Sequence, residues 1–193
     1  MTVEGPKAGG LQVGILGPVQ VAVDGAELAS PAPGPRAVLA ALALAAGGPV
    51  RLATAVELLW GGDPPRSAAG VLHTYVSRIR SLLTAPPGSD RVPVLTRDAS
   101  GYRLRLTADE LDMLQFRRLV AQARVADDPG QAGDRYEQAL GLWRGEPLAD
   151  VDVLQRHPGV TALAAERACA VLEYAELASA YGWHDREIGR AHV

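Results

Sequence analysis

Lysine is almost missing from these 193 residues: Lys7 is the only one, asparagine does not occur, Phe116 is the single phenylalanine and Cys169 the single cysteine. One cysteine excludes an internal disulfide framework and a cysteine-built zinc module. Cys169 itself falls inside an alanine- and leucine-rich stretch, which predicts a buried small hydrophobe rather than a nucleophile. The longest apolar run, Val38 to Ala46, is about half of the ~20 residues that a membrane span requires. Met1 to Gly10 contains no apolar stretch of signal-peptide length and predicts a disordered leader, so the expected address is cytoplasmic, with no membrane partner. Enzyme signatures are missing as well. There is no phosphate loop ending in Gly-Lys-Ser/Thr, no dinucleotide glycine fingerprint after a strand, no Gly-x-Ser-x-Gly elbow and no His-Glu-x-x-His. His73, His157, His184 and His192 are scattered singly, and carboxylate pairs such as Asp127-Asp128 fall in predicted turns. The expectation is therefore no metal, no cofactor and no catalytic residue.

What is present is an ordinary globular balance, 48% apolar and 21% charged, over a length that suits two small units. The formal charge of −3 conceals an asymmetry: residues 1–106 hold ten Lys/Arg against seven Asp/Glu, and residues 107–193 hold nine against fifteen. Between positions 66 and 105, Arg66, Arg78, Arg80, Arg91, Arg97, Arg103 and Arg105 face only Asp90 and Asp98. A local basic block in an acidic protein is the footprint of an anionic partner, most often nucleic acid. On charge alone a solvated arginine face accounts for it equally well, so the pattern of residues must decide.

Leu11 to Leu16 and Val19 to Val23 alternate apolar and polar residues around Gly17-Pro18, and Asp24-Gly25 supplies a second hairpin turn, which predicts a small N-terminal sheet. Pro35 opens an apolar helix that runs to Ala46 and stops at Gly47-Gly48. Thr54 and Glu57 stand at capping-box spacing before a second, short helix that ends at Gly61-Gly62, with Trp60 expected in the core. From Ser67 to Leu83, Val71, Leu72, Tyr75, Val76, Ile79, Leu82 and Leu83 form one apolar stripe at helical spacing, opposite His73, Thr74, Ser77, Arg78, Arg80 and Ser81. Val92 to Arg97 and Gly101 to Leu106 then flank Asp98-Ala-Ser-Gly as a hairpin whose arginines, Arg97, Arg103 and Arg105, are expected largely on one face. Beyond Thr107 and Glu110, a second capping-box pair, the chain reads as helices near 109–126, 130–142 and 161–181. Paired antiparallel helices fit this half. A period near 34 residues is weak, and a generic bundle accounts for it better than a tetratricopeptide-like repeat.

Three helices, the third with a polar basic face, followed directly by a basic hairpin make a winged helix. In that arrangement the third helix enters the major groove and the hairpin reaches an adjacent groove or the backbone. Arginine pairs bidentately with the O6/N7 edge of guanine, so Arg78 is the first candidate for base readout. Without asparagine anywhere, or glutamine on this helix, bidentate reading of adenine is excluded there. Thr74 can contact a thymine methyl, and Ser77 and His73 can offer hydroxyl or imidazole contacts. Arg66, Arg80 and the hairpin arginines Arg97, Arg103 and Arg105 suit phosphates, which hold register without carrying sequence information.

Leu16-Gly-Pro-Val, Leu58-Leu-Trp-Gly-Gly-Asp-Pro-Pro, Leu72-His-Thr-Tyr-Val-Ser-Arg-Ile-Arg-Ser-Leu-Leu, Ser100-Gly-Tyr-Arg-Leu, Leu111-Asp-Met-Leu-Gln-Phe and Ala139-Leu-Gly-Leu-Trp-Arg-Gly-Glu-Pro-Leu-Ala-Asp follow one another in order across nearly the whole chain. Together they resemble the Streptomyces antibiotic regulatory protein family. The resemblance implies an α+β winged helix of OmpR type over residues 11–106, with an N-terminal antiparallel sheet, three helices and a C-terminal hairpin wing. An all-α, tetratricopeptide-like bacterial transcriptional activator domain is then implied over 107–186. It further implies activation of secondary-metabolite biosynthetic genes through direct repeats in promoter DNA, self-association on that DNA, contact with RNA polymerase holoenzyme, and a place on the nucleoid. Within it, 67–83 matches the recognition helix, Arg78 the base-facing arginine, Arg80 a backbone contact and 97–105 the wing. Gly61, Gly62, Asp63 and Pro64 match the loop linked to polymerase contact. His73 departs from the amide residue expected at its position.

The activator domain of this family runs longer than the residues left after Thr107, so the chain reads as a truncated one. Its last seven residues, 187–193, break the amphipathic pattern and spell what a short-read sequencing adapter would encode, which predicts a non-native tail. A competing reading makes the helical half a protein-interaction scaffold attached to a non-specific nucleic-acid-binding winged helix. An enzyme would need an acid/base cleft assembled from distant segments, and nothing in the sequence suggests one.

Overall fold

The computed structural model describes residues 10–83 and 94–183. Residues 1–9 of the predicted leader, the closing residues 187–193, His184, His192, and Arg91 to Pro93 at the start of the predicted hairpin lie outside them.

The alternating N-terminal segments form β1 (Leu11–Gly14), β2 (Gln20–Val23) and β3 (Ala26–Glu27), an antiparallel sheet in that order in which Leu11 pairs with Val23 and Val13 with Val21. Period-two alternation turns Leu11, Val13 and Val21 into the core and Gln12 outward. Helix α1 (Pro33–Leu44) begins two residues before the expected Pro35, because Pro33 occupies a first-turn position where a missing N–H costs nothing. It is buried continuously from Ala37 to Ala43, which explains its alanines: larger side chains would not fit on so many sides. Helix α2 (Leu52–Trp60) also starts early, at an Arg51 cap without a side-chain bond, so the predicted Thr54–Glu57 capping box is not used. Val50 exchanges both backbone hydrogen bonds with Tyr102, and that pairing sets where the chain enters α2.

Helix α3 (Ala68–Leu83) packs its buried stripe of Ala68, Leu72, Val76, Ile79 and Leu83 on α1 and α2. Strands β4 (Leu95–Asp98) and β5 (Gly101–Leu104) form the following hairpin, with Arg97 opposite Tyr102 and Thr96 opposite Arg103. Gly101 has φ +135°, and a Cβ there would lie 2.4 Å from the Val50 carbonyl oxygen, backbone that cannot swing aside. Gly101→Ala is therefore expected to cost about 1–3 kcal/mol in urea unfolding and to loosen the hairpin from α2.

In the second half, Glu110 accepts from the Thr107 amide and hydroxyl, both at 2.9 Å, as the capping-box pair predicts. The helix itself, α4 (Asp112–Arg124), starts three residues later than expected, because Val13 recruits the Glu110 carbonyl and bridges Leu111 alongside β1. Helix α5 (Pro129–Leu140) is capped by Asp128, and α6 (Pro158–Ala180) by the ring nitrogen of His157. Arg117 and Arg124 make paired hydrogen bonds of 2.8–3.0 Å with Glu166 and Glu173. Both contacts advance seven residues on each helix, so α4 and α6 run in the same direction. Arg124, aided by Tyr136, holds the Glu173 carboxyl below its ordinary value. The separation of 49 residues within each pair explains the weak sequence period: the segment between α5 and α6, with its short 3-10 turn at Asp152–Leu154, is inserted into what would otherwise be an even repeat.

The same offset explains Cys169, which is exposed rather than buried as expected. Met113, Phe116, Leu119, Val120 and Ala123 form the buried face of α4, and their counterparts on α6 are Ala162, Ala165, Ala168, Cys169 and Leu172, all exposed. Among the described residues no helix covers that face.

One continuous hydrophobic core runs through both halves. At the Gly17-Pro18 turn the halves are also joined by polar contacts. Asp112 accepts from the Ile15 and Leu16 amides at 2.9 and 3.0 Å. Asp150 accepts from the Val19 amide at 2.8 Å and pairs with Arg36 of α1 at 2.9 Å, and Arg144 donates to the Pro18 carbonyl. No helix among the described residues is long and apolar enough to cross a membrane.

Candidate nucleic-acid interface

Helix α3 contains no carboxylate, so with its apolar stripe buried it presents His73, Thr74, Ser77, Arg78, Arg80 and Ser81, all exposed. Thr74 and Ser81 donate their hydroxyls back to the Gly70 and Ser77 carbonyls, which ties their protons to the helix and leaves lone pairs facing outward. Arg66 and Arg78 are exposed, and among the described residues neither has an ion-pair partner; the same holds for Arg105. Arg80 turns toward the hairpin, its Nε donating to the Leu95 carbonyl at 3.3 Å.

The hairpin arginines do not share one face as their alternation suggested. Arg97 is opposite Tyr102 and lies over its ring, on the side of α3, with its guanidinium carbon 5.3 Å from the centroid. Arg103 is opposite Thr96, on the other face, where it pairs with Asp98 at 3.0 Å and reaches the Gly47 carbonyl. The reason is the two-residue loop, which sets position 97 against 102 rather than 103. The Ser100 hydroxyl and amide, then Arg103, lower the Asp98 carboxyl from 3.8 to about 2. The Asp98–Ser100–Arg103 tip therefore stays intact as pH falls through the ordinary carboxylate range and opens only near the lowered value. An NMR titration of the Asp98 carboxyl should find its midpoint at least one pH unit below the ordinary aspartate value of 3.8.

Gly61, Gly62, Asp63 and Pro64 form an exposed loop in which Gly61 takes φ +62°, a conformation that favours glycine. Trp60 beside it is half-buried rather than core. It lines a groove of about 360 Å³ with Tyr75, Pro33 and Asp152. Sequence reasoning missed Asp112, Arg144, Asp150 and Arg36, whose partners lie up to 131 residues away and leave no local pattern.

A three-helix unit with a hairpin against its third helix, fused to a helical half, is an arrangement this chain shares with bacterial transcription regulators. Residues 111–192 match the bacterial transcriptional activator domain. The regulatory protein AfsR of Streptomyces coelicolor is 42% identical over 155 residues, covering 77% of this chain and 15% of AfsR. The regulatory protein DnrI of Streptomyces peucetius is 34% identical over 170 residues, covering 84% of this chain and 62% of DnrI. The structure of Mycobacterium tuberculosis EmbR in complex with a low-affinity phosphopeptide superposes with a TM-score of 0.78 at 34% identity, covering 89% of this chain and 46% of that one. These relatives are regulators of the Streptomyces antibiotic regulatory protein family, and the chain is homologous to them over most of its length. It spans less than two thirds of the length of each of these three relatives.

Proposed function

We propose that the chain is a sequence-specific DNA-binding transcriptional activator with an OmpR-type winged helix at 11–106 and a tetratricopeptide-like activator domain from 107. Helix α3 is the recognition helix, set in the major groove with Arg78 on a guanine edge and Thr74 and Ser77 on neighbouring bases. Arg66, Arg80 and Arg105 hold phosphates, and the β4–β5 hairpin is the wing. The observation that carries this reading is the α3 face: exposed, basic, free of carboxylates, with Arg78 unpaired among the described residues. The tetratricopeptide-like reading is supported by the parallel course of α4 and α6. The 61–64 loop, exposed at all four residues, contacts RNA polymerase holoenzyme. In the cell the protein acts in the cytoplasm on the nucleoid, bound as self-associating copies on direct repeats at promoters of secondary-metabolite genes.

The test is selection of bound fragments from a random DNA library by the full chain, since the two halves share one core, at two salt concentrations. An enriched, repeated, guanine-containing motif whose affinity drops by orders of magnitude between low and moderate salt is the expected result. Binding without enrichment would overturn sequence-specific recognition. It would favour a scaffold working through the helical half, where Trp143, Pro147, Ala168, Val171 and Leu172 line a groove of about 440 Å³.

A further inference from the structure

His73 stands among the residues of the α3 face, yet its ring is already engaged: Arg97 Nη1 lies 3.4 Å from His73 Nε2. A guanidinium has only donors, so this contact requires a lone pair on Nε2 and places the single imidazole proton on Nδ1. The His73 ring also meets Tyr102 edge-on, with centroids 6.4 Å apart, while Arg97 lies over the Tyr102 ring at 5.3 Å. Tyr102 is a rigid base for both, 3% exposed and bonded to Val50 through its own N–H and C=O. At the other end of β4, Arg80 donates to the Leu95 carbonyl. Strand β4 thus runs antiparallel along α3 and is clipped at both ends, by Arg80 on Leu95 and by His73 on Arg97.

We propose that His73 is a positioning residue that holds the wing arginine Arg97 at a fixed place beside the recognition face, rather than a reader of bases. Resting on the DNA-binding reading above, this deepens it by assigning the junction of helix and wing a defined DNA contact. One N–H of Arg97 is committed to His73, and its side chain is exposed, which leaves its other N–H groups available to a phosphate beside the recognition helix. Holding the guanidinium over the Tyr102 ring removes rotamer freedom before DNA arrives, so the free protein already carries the geometry that the complex needs. No carboxylate pairs with either His73 or Arg97 among the described residues, so Arg97 keeps its full charge for a phosphate.

A double-substitution cycle tests this with the full chain and the DNA site recovered by selection. His73→Ala should weaken binding about 3- to 10-fold, the scale of coupling between touching side chains, and should have no further effect in an Arg97→Ala background. The base preference of the His73→Ala variant should be unchanged. Additive losses, or a changed preference that persists without Arg97, would overturn the proposal and return His73 to base readout. Both side chains are exposed, so neither substitution opens the core. A second readout needs no DNA: long-range ¹H–¹⁵N spectra should show neutral His73 as the Nδ1–H tautomer, reverting toward Nε2–H in Arg97→Ala. If the unsubstituted chain binds no DNA, the DNA-binding reading fails on its own, and the tautomer decides the clasp: Nδ1–H supports it and Nε2–H overturns it.

Discussion

Arg78→Ala is expected to weaken binding to the selected DNA site by about 5- to 150-fold, the equivalent of roughly 1–3 kcal/mol, and to relax preference at one guanine while leaving other positions intact. Two observations give this prediction its size. Arg78 is exposed on a helix face without carboxylates, and among the described residues it has no ion-pair partner to give up, so its free state is not stabilised by anything that DNA must displace. Its neighbours Val76 and Ile79 are 2% and 1% exposed, which fixes the direction in which position 78 projects. Arg105→Ala is the contrasting case. An exposed phosphate-binding arginine should weaken all sequences alike and lower the salt slope by about one. Arg103 differs from both, because its guanidinium is spent on Asp98 and Ser100 within the hairpin and on the Gly47 carbonyl after α1. Equal losses on every sequence for Arg78→Ala would reject its base-reading role.

Asp112→Ala should be the most destabilising change outside the hydrophobic core, at about 2–5 kcal/mol in denaturant unfolding, since it strands two buried amide donors at once. Ile15 and Leu16 are both 0% exposed, and their N–H groups find their acceptor in this carboxylate, which also takes the Met113 amide at 2.8 Å and Arg144 at 3.2 Å. The loss should fall on the joint between the halves, seen as faster hydrogen exchange at Ile15 and Leu16 before exchange rises in α3. Burial pushes the Asp112 carboxyl above its ordinary 3.8, against the opposing pull of the Leu16 and Ile15 amides and Arg144. The native state therefore holds this proton more tightly than the unfolded chain. The stability linked to it is complete below about 3.8 and drains as pH rises through the raised value. Asp112→Asn cannot ionise, and its unfolding free energy should lack that slope in a pH series.

How much of this was readable beforehand depends on the range of the interaction. The apolar stripe of α3, the polar face opposite it and the hairpin after it are written at spacings of three, four and two residues. Those spacings put Leu72, Val76 and Ile79 inside and His73, Ser77 and Arg78 outside in any fold that uses a helix there. Boundaries were less legible. The capping-box pair at Thr54 and Glu57 is a real local signal, but the Val50–Tyr102 pairing, 52 residues apart in the chain, overrides it. Arg97 and Arg103 look equivalent in the alternation of the hairpin, and only the loop length sends them to opposite faces.

Periodicity and composition by themselves determined that this chain makes a small sheet, three helices and a basic hairpin before a helical second half, since local spacing governs which side of each element is apolar. They equally determined an exposed α3 face without carboxylates or asparagine. Tertiary structure alone decided that the Gly17-Pro18 turn joins the halves through Asp112, Arg144 and Asp150, that Cys169 and Trp60 stay outside the core, and that His73 faces Arg97 of the hairpin. Each of those depends on groups far apart in sequence meeting across packed elements, and the free energy of such a meeting comes from desolvation and hydrogen-bond satisfaction in the folded state, which no local spacing encodes.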